Sequence, residues 1–149
     1  MKRVYVIDAC SLINAAHNYN MSKKAFSHIW ETFEEKIEMG ELISSSEILA
    51  ELKDEDLATW AKQHKKAFLP LSPEIQAKTK EVLKKHPAII KMRSKKNSNG
   101  DPFLIATAVV HNGIVVTDES TKANGIPAVC QSLGMEYMNL SKYLDVILE

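Results

Sequence analysis

At 149 residues, with 45% apolar and 26% charged side chains, the chain has the size and mixture of one globular domain, which excludes a disordered or low-complexity protein. Its 19 basic residues balance 19 acidic ones, so no global field draws it to nucleic acid, and such a partner must be held by a local patch or by metal ions. Cys10 and Cys130 stand in no CxxC or Cys/His ligand spacing and read as small, partly buried residues of a reducing compartment.

The first strand is expected at Val4-Tyr5-Val6-Ile7, a short β-branched run of the kind buried in parallel sheets, ending abruptly at Asp8. That acid comes too soon for a signal-peptide apolar region, and no run approaches the ~20 apolar residues of a membrane span, so a cytoplasmic protein without membrane contact is expected. Ser11 is read as the cap of a short helix. An amphipathic helix from about Ser22 to Met39 follows, with Phe26, Ile29, Trp30, Phe33 and Ile37 on one stripe and Gly40 as its stop. On that stripe Trp30 and Phe33 read as core or dimer surface before base-stacking platforms.

A second strand is expected at Glu41–Ser44. A helix then carries Ile48, Leu49 and Leu52, with Ser44 and Glu47 at capping-box spacing. Asp54 or Asp56 starts another helix through Trp60 to Lys66, and Ser72-Pro73-Glu74 starts one that ends near His86-Pro87. Residues 91–100 are the most loop-like stretch. Asp101-Pro102 opens a further helix, Gly113 ends it, and Ile114-Val115-Val116-Thr117 forms a third buried strand closed by Asp118-Glu119. A helix at Ala128–Leu133, a strand near Met135–Met138 and a terminal helix from Ser141 complete the chain. The alternation predicts an α/β fold, a central parallel sheet flanked by helices on both faces, as a single domain over residues 1–149.

Ligands of open parallel sheets bind beyond the carboxyl ends of the strands. Asp8 follows the first strand, and Asp118 and Glu119 follow the third. Glu47 and Glu51 lie in the helix after the second strand, one turn apart on one face. Asp101 begins the helix that feeds the third strand. Carboxylates gathered at one rim repel one another, and a divalent cation removes that penalty. Oxygen ligands without a useful His or Cys favour Mg²⁺ or Mn²⁺, which suits phosphodiester hydrolysis. His17, His28, His64, His86 and His111 show no paired spacing. Each acid also has an ordinary role: Asp101 as an N-cap, Glu47 as a capping-box residue, Glu51 as a solvated charge and Asp118 as a turn residue.

Four motifs together resemble the PIN-domain family: Val-Tyr-Val-Ile-Asp8-Ala-Cys-Ser11-Leu, Ser45-Ser46-Glu47-Ile48-Leu49-Ala50-Glu51-Leu52, Asp101-Pro-Phe-Leu-Ile105-Ala106-Thr107-Ala108, and Val115-Val116-Thr117-Asp118-Glu119. They span residues 4 to 119 in the family's order. A later Ile126-Pro127-Ala128-Val129-Cys130 is similar to a bacterial PIN-like subgroup. The resemblance implies a Rossmann-like sandwich and a Mg²⁺- or Mn²⁺-dependent nuclease acting on RNA or another single-stranded nucleic acid. Small bacterial members are often homodimeric ribonuclease toxins with a cognate antitoxin.

On this footing Asp8 and Asp101 are expected to hold the metal, and Glu51 with the Asp118/Glu119 pair to complete the acidic shell. Which of Glu47 and Glu51, and which of Asp118 and Glu119, stands nearest stays open, because the family has Asp or Asn where Glu119 stands. Ser11 and Thr117 are expected to bond the substrate phosphate or a carboxylate, or simply to cap and close turns. Lys91, Arg93, Lys95 and Lys96 are expected to grip backbone phosphates, although a solvated charge run has the same look; Lys62, His64, Lys65 and Lys66 read as a helix face. A haloacid-dehalogenase-type phosphatase fits poorly, since Cys10 occupies the position of its second Asp. A catalytically silent PIN-like module, binding nucleic acid or protein through the same pocket, is the other reading.

Overall fold

The apolar run after Arg3 forms β1 (Tyr5–Ile7), buried at every residue in a computed structural model that describes residues 3–89, 101–119 and 125–148. Helix α1 (Ala9–Asn18) follows at once, and its N-cap is Asp8 rather than Ser11, which lies buried in the helix's first turn. The long amphipathic helix starts later than its apolar stripe suggests. A 3₁₀ turn at Lys24–Phe26 precedes α2 (Ser27–Glu38), and Gly40 takes φ 73° beyond it. Trp30 packs edge-on against Phe33 and Trp60, which makes it a core residue.

Strand β2 (Leu42–Ser45) runs one residue further than expected. Ser44 does not cap. Its hydroxyl donates to the Ile7 carbonyl at 2.6 Å, and Ser45 accepts from the Glu47 N–H instead. The segment Ser46–Glu51 is a 3₁₀ helix. With three residues per turn, positions four apart diverge by about 120°, so Glu47 and Glu51 do not share a face. Asp54 caps α3 (Glu55–Gln63), and a 3₁₀ turn leads to β3 (Phe68–Leu69), a strand absent from the sequence-based expectation. Ser72 caps α4 (Pro73–Lys85), which has proline in its first turn.

Helix α5 (Asp101–Val110) is buried along nearly its whole length, as a helix apolar on all sides must be. It feeds β4 (Ile114–Val116), then come α6 (Ile126–Leu133), β5 (Tyr137–Met138) and α7 (Leu140–Ile147). The left-handed residue at the α5–β4 turn is Asn112, φ 52°, not Gly113. Gly113 is required for a different reason: a Cβ there would lie 2.7 Å from Val6 Cγ2.

The five strands form one sheet in the order β3-β2-β1-β4-β5, and every pairing is parallel. Val6 sits between Ile43 and Val115. Strands β1, β2 and β4 are buried at each position, so both faces of the sheet are covered. Helix α5 lies on β1, β2 and β4 and packs against α4 and α6, while α1 meets α3 and α7 and α2 rests on β2. Right-handed crossovers place α1–α3 on one face and α4–α6 on the other. The winding leaves β1 for β2 on one side and returns as β4 on the other, so the topological switch point falls between β1 and β4. Among the described residues no helix is long and apolar enough to cross a membrane.

Candidate active site at the carboxyl edge of the sheet

Asp8 stands at the switch point. Its backbone N–H donates to the Val116 carbonyl at 2.8 Å, which locks it beside the end of β4. Oδ1 accepts the Ala9 N–H at 2.8 Å, while Oδ2 accepts the Cys10 thiol at 2.9 Å and the Thr117 hydroxyl at 3.1 Å. With only 2% of its surface exposed, the carboxyl is pushed up from 3.8 to about 6. Burial is the largest cause; the Cys10 bond opposes it, the Glu119 charge adds to it, the Thr117 bond opposes it, and Glu51 adds to it.

The sequence-based site residues divide into two sets. Glu51 ends the 3₁₀ segment after β2, half-buried, and its charge acts on Asp8. Glu119 acts on Asp8 more strongly, and its Oε1 also accepts the Ile126 N–H at 2.9 Å at the start of α6. That helix has Gly125 as N-cap and no side-chain cap of its own, so Glu119 fills the role. Burial first and Glu119 second push the thiol of Cys130, one turn along α6, up to about 12. Thr117 is buried and serves Asp8 as a donor while accepting the Glu119 N–H at 3.2 Å.

Asp118 is directed elsewhere. Its Oδ1 accepts the Leu140 N–H at 2.8 Å and its Oδ2 the Asn14 amide at 2.6 Å, which ties β4 to the start of α7 and to α1. Asp101 is the first residue of α5 and 9% exposed. Since α5 hands the chain to the amino end of β4, its own first residue lies at the carboxyl edge. Ser11 is buried, and its hydroxyl has no hydrogen-bond partner among the described residues. Glu47 is half-buried on the diverging side of the 3₁₀ segment. Lys91, Arg93, Lys95 and Lys96 lie outside the described residues.

Two contributors escape the sequence reading. Cys10 donates to Asp8 and receives the Asp118 N–H at 3.3 Å; burial first, then the Asp8 charge, holds its thiol protonated. The signal was available in principle, since the second residue of a helix lies within reach of its N-cap. Asn14 had no such signal, because its partner Asp118 is remote in sequence. Among the described residues no three His, Cys, Asp or Glu side chains are gathered so as to hold a metal by themselves. A crevice of about 310 Å³ opens beside the site, between the ends of β4 and α1 and the start of α7.

A family model described as a domain of unknown function, DUF4411, matches residues 5–147. The chain belongs to the DUF4411 family. The matched span takes in every strand, Asp8, Asp101 and both acids after β4. Among solved structures, one titled "Crystal structure of PAE2754 from Pyrobaculum aerophilum" is similar, with a TM-score of 0.54 and 14% identity over 99% of this chain and 98% of that one. Likeness at that identity shows that this DUF4411 chain shares the α/β fold. No curated protein matches it.

Proposed function

We propose that this DUF4411 protein is a Mg²⁺- or Mn²⁺-dependent phosphodiester hydrolase, and that its substrate is RNA. The observation that carries the reading is Asp8, a carboxylate buried at the topological switch point and raised toward neutrality by burial and by Glu119 and Glu51. Such a group is a liability for stability and a recurrent feature of functional sites. A cation beside it would cancel the cost.

The donor set suits a hard divalent ion. Mg²⁺ is commonly held by one or two carboxylates, with waters and substrate phosphate filling the other positions, so a site for it need not gather three protein side chains. Asp8 and Asp101 are the residues that would hold it, with Glu51 and Glu119 supporting. A bound ion supplies charge neutralisation at the attacked phosphate and a more acidic water. The chain's own residues do the rest. Cys10 and Thr117 orient the Asp8 carboxylate through its Oδ2, and Glu119 and Glu51, whose charges act on Asp8, are the acids that would accept a proton from an attacking water. A toxin role with a cognate antitoxin, and a homodimer, are extensions that rest on the sequence resemblance to PIN-domain proteins.

A second reading has its own observation. Both oxygens of Asp8 already accept hydrogen bonds within the chain, as they would in a catalytically silent module that binds nucleic acid or protein. One experiment separates the two. Purified protein is given single-stranded and structured RNA with Mn²⁺, Mg²⁺ or chelator, beside Asp8→Asn and Asp101→Asn. The hydrolase reading expects metal-dependent cleavage, lowered in both variants by about a hundredfold or more. Mn²⁺ should also raise the melting temperature of the wild type and leave that of Asp8→Asn unchanged. RNA binding without cleavage, indifferent to metal, selects the silent module.

A further inference from the structure

The crevice beside the candidate site has a chemistry that the phosphodiester reading does not use. At about 310 Å³ it stands at the lower end of the ~300–1,000 Å³ common for ligand sites, room for one small organic group. Its floor is Thr117, Asp118 and Glu119, the same β4 end that meets Asp8, so an occupant would abut the reacting centre. Asn18, Tyr19 and Asn139 line it further, with one aromatic side chain and two carboxamides.

No Lys or Arg lines the crevice among the described residues, while two carboxylates do. A phosphate would be repelled there. A neutral group rich in hydroxyl and amino donors would be accepted. Asp118 gives one hydrogen bond's worth of acceptance on each oxygen, to Leu140 N–H and to Asn14, and each oxygen keeps a further lone pair. The carboxamide of Asn139 is held in place because its Oδ1 accepts the Lys142 N–H at 2.9 Å, which leaves its NH₂ as a fixed donor. Tyr19 is likewise positioned: its ring sits edge-on to Phe26 at 5.6 Å, and its carbonyl accepts the Trp30 indole N–H at 2.6 Å. An aromatic side chain, an amide donor and a carboxylate acceptor are the complement of a base and its ribose.

We propose that this crevice is a nucleoside subsite, which takes the base and ribose next to the scissile phosphate, with Tyr19 against the base and Asp118 accepting from the ribose hydroxyls. The assignment rests on the phosphodiester-hydrolase reading for the place of the phosphate. Thr117 both bonds Asp8 and lines the crevice, so the two places adjoin and one strand would occupy both.

The test uses the full chain carrying Asp8→Asn, in chelator, so that binding is read without turnover. Amide shifts are followed by NMR on titration with a short single-stranded RNA, the matching DNA and a free nucleoside. RNA should shift the amides of Asp118, Leu140 and Ser141 more than DNA does. A free nucleoside that moves the same amides would make the subsite self-sufficient; movement with RNA alone would mean that it works only on a tethered strand. Either supports the proposal. Tyr19→Leu, which keeps an apolar contact with Phe26, should weaken RNA binding about tenfold, the loss of one base–aromatic stack. Asn139→Ser, which keeps a capping oxygen but removes the amide donor from the crevice, should also weaken RNA binding. RNA that binds both variants as it binds the parent, or that leaves those amides unmoved, overturns the subsite. If wild-type cleavage still depends on Asp8, the hydrolase reading survives that result. If no RNA is bound or cleaved, both fall together.

Discussion

Asp8 holds its carboxylate out of water between three donors and two like charges, and this has a direct consequence for stability. The carboxyl ionises at 3.8 in the unfolded chain and about 6 in the folded one. Between those values the native state keeps a proton that the unfolded state has released, so stability falls as pH rises through the window. The penalty is absent below the unfolded value and complete above the folded one, worth about 3 kcal/mol. In chelator, urea unfolding of wild type and Asp8→Asn from about pH 4 to about pH 7 should show the difference between them grow in favour of the variant. Parallel curves would mean that Asp8 ionises as an ordinary aspartate. The position of this residue was legible in the sequence, because an acid that ends a β-branched run falls at a strand's carboxyl end. The division of labour between Asp118 and Glu119 was not, since it depends on which way successive side chains turn as β4 ends. Cys10 was read only as a small apolar residue, because its bond to Asp8 exists once α1 is capped by Asp8 and not by Ser11.

The same dependence operates between elements. Most helices were legible from their starts: Ser72-Pro73 for α4, Asp54 for α3 and the apolar run of α5 all carry local signals. Strand β3 carries none, because two residues give no periodicity and its pairing with Ser44 and Ser45 is non-local. The 3₁₀ form of Ser46–Glu51 is equally silent, as its spacing of apolar residues also fits an α-helix. Asp118 shows what such non-local bonds do for the architecture. Asn139 caps α7 through the Lys142 N–H, and Asp118 satisfies the Leu140 N–H that Asn139 cannot reach, while holding Asn14 of α1. Asp118→Ala should therefore cost about 1–2 kcal/mol in a urea melt, the scale of a lost cap. Amide exchange at Leu140 should quicken at the same time. Unchanged protection there would show that the bond contributes nothing to the docking of α7.

Across the whole molecule, the order β3-β2-β1-β4-β5 brings the ends of β1 and β4 together and delivers the first residue of α5 to the same edge, which is why acids from distant segments stand at one edge of the sheet. The parallel α/β architecture was legible because buried strands and amphipathic helices alternate along the chain. What the architecture does not supply is attraction for a polyanion: 19 basic and 19 acidic residues cancel. If RNA is the substrate, its phosphates must be held locally, and the sequence offers Arg93, Lys95 and Lys96 within ten residues before Asp101. Each phosphate neutralised on a single strand contributes about 0.7 to the slope of log K against log salt, so those three residues would contribute about 2. Replacing all three with Gln should flatten the measured slope by that amount and weaken RNA binding most at low salt. The rise in melting temperature with Mn²⁺ should survive the replacement, because the proposed cation is held by Asp8 and Asp101. A slope unchanged by the triple substitution would place phosphate binding on another surface. Loss of the Mn²⁺ response together with the slope would mean that the basic run shapes the acidic site itself, and that substrate grip and metal binding cannot be assigned to separate parts of the chain.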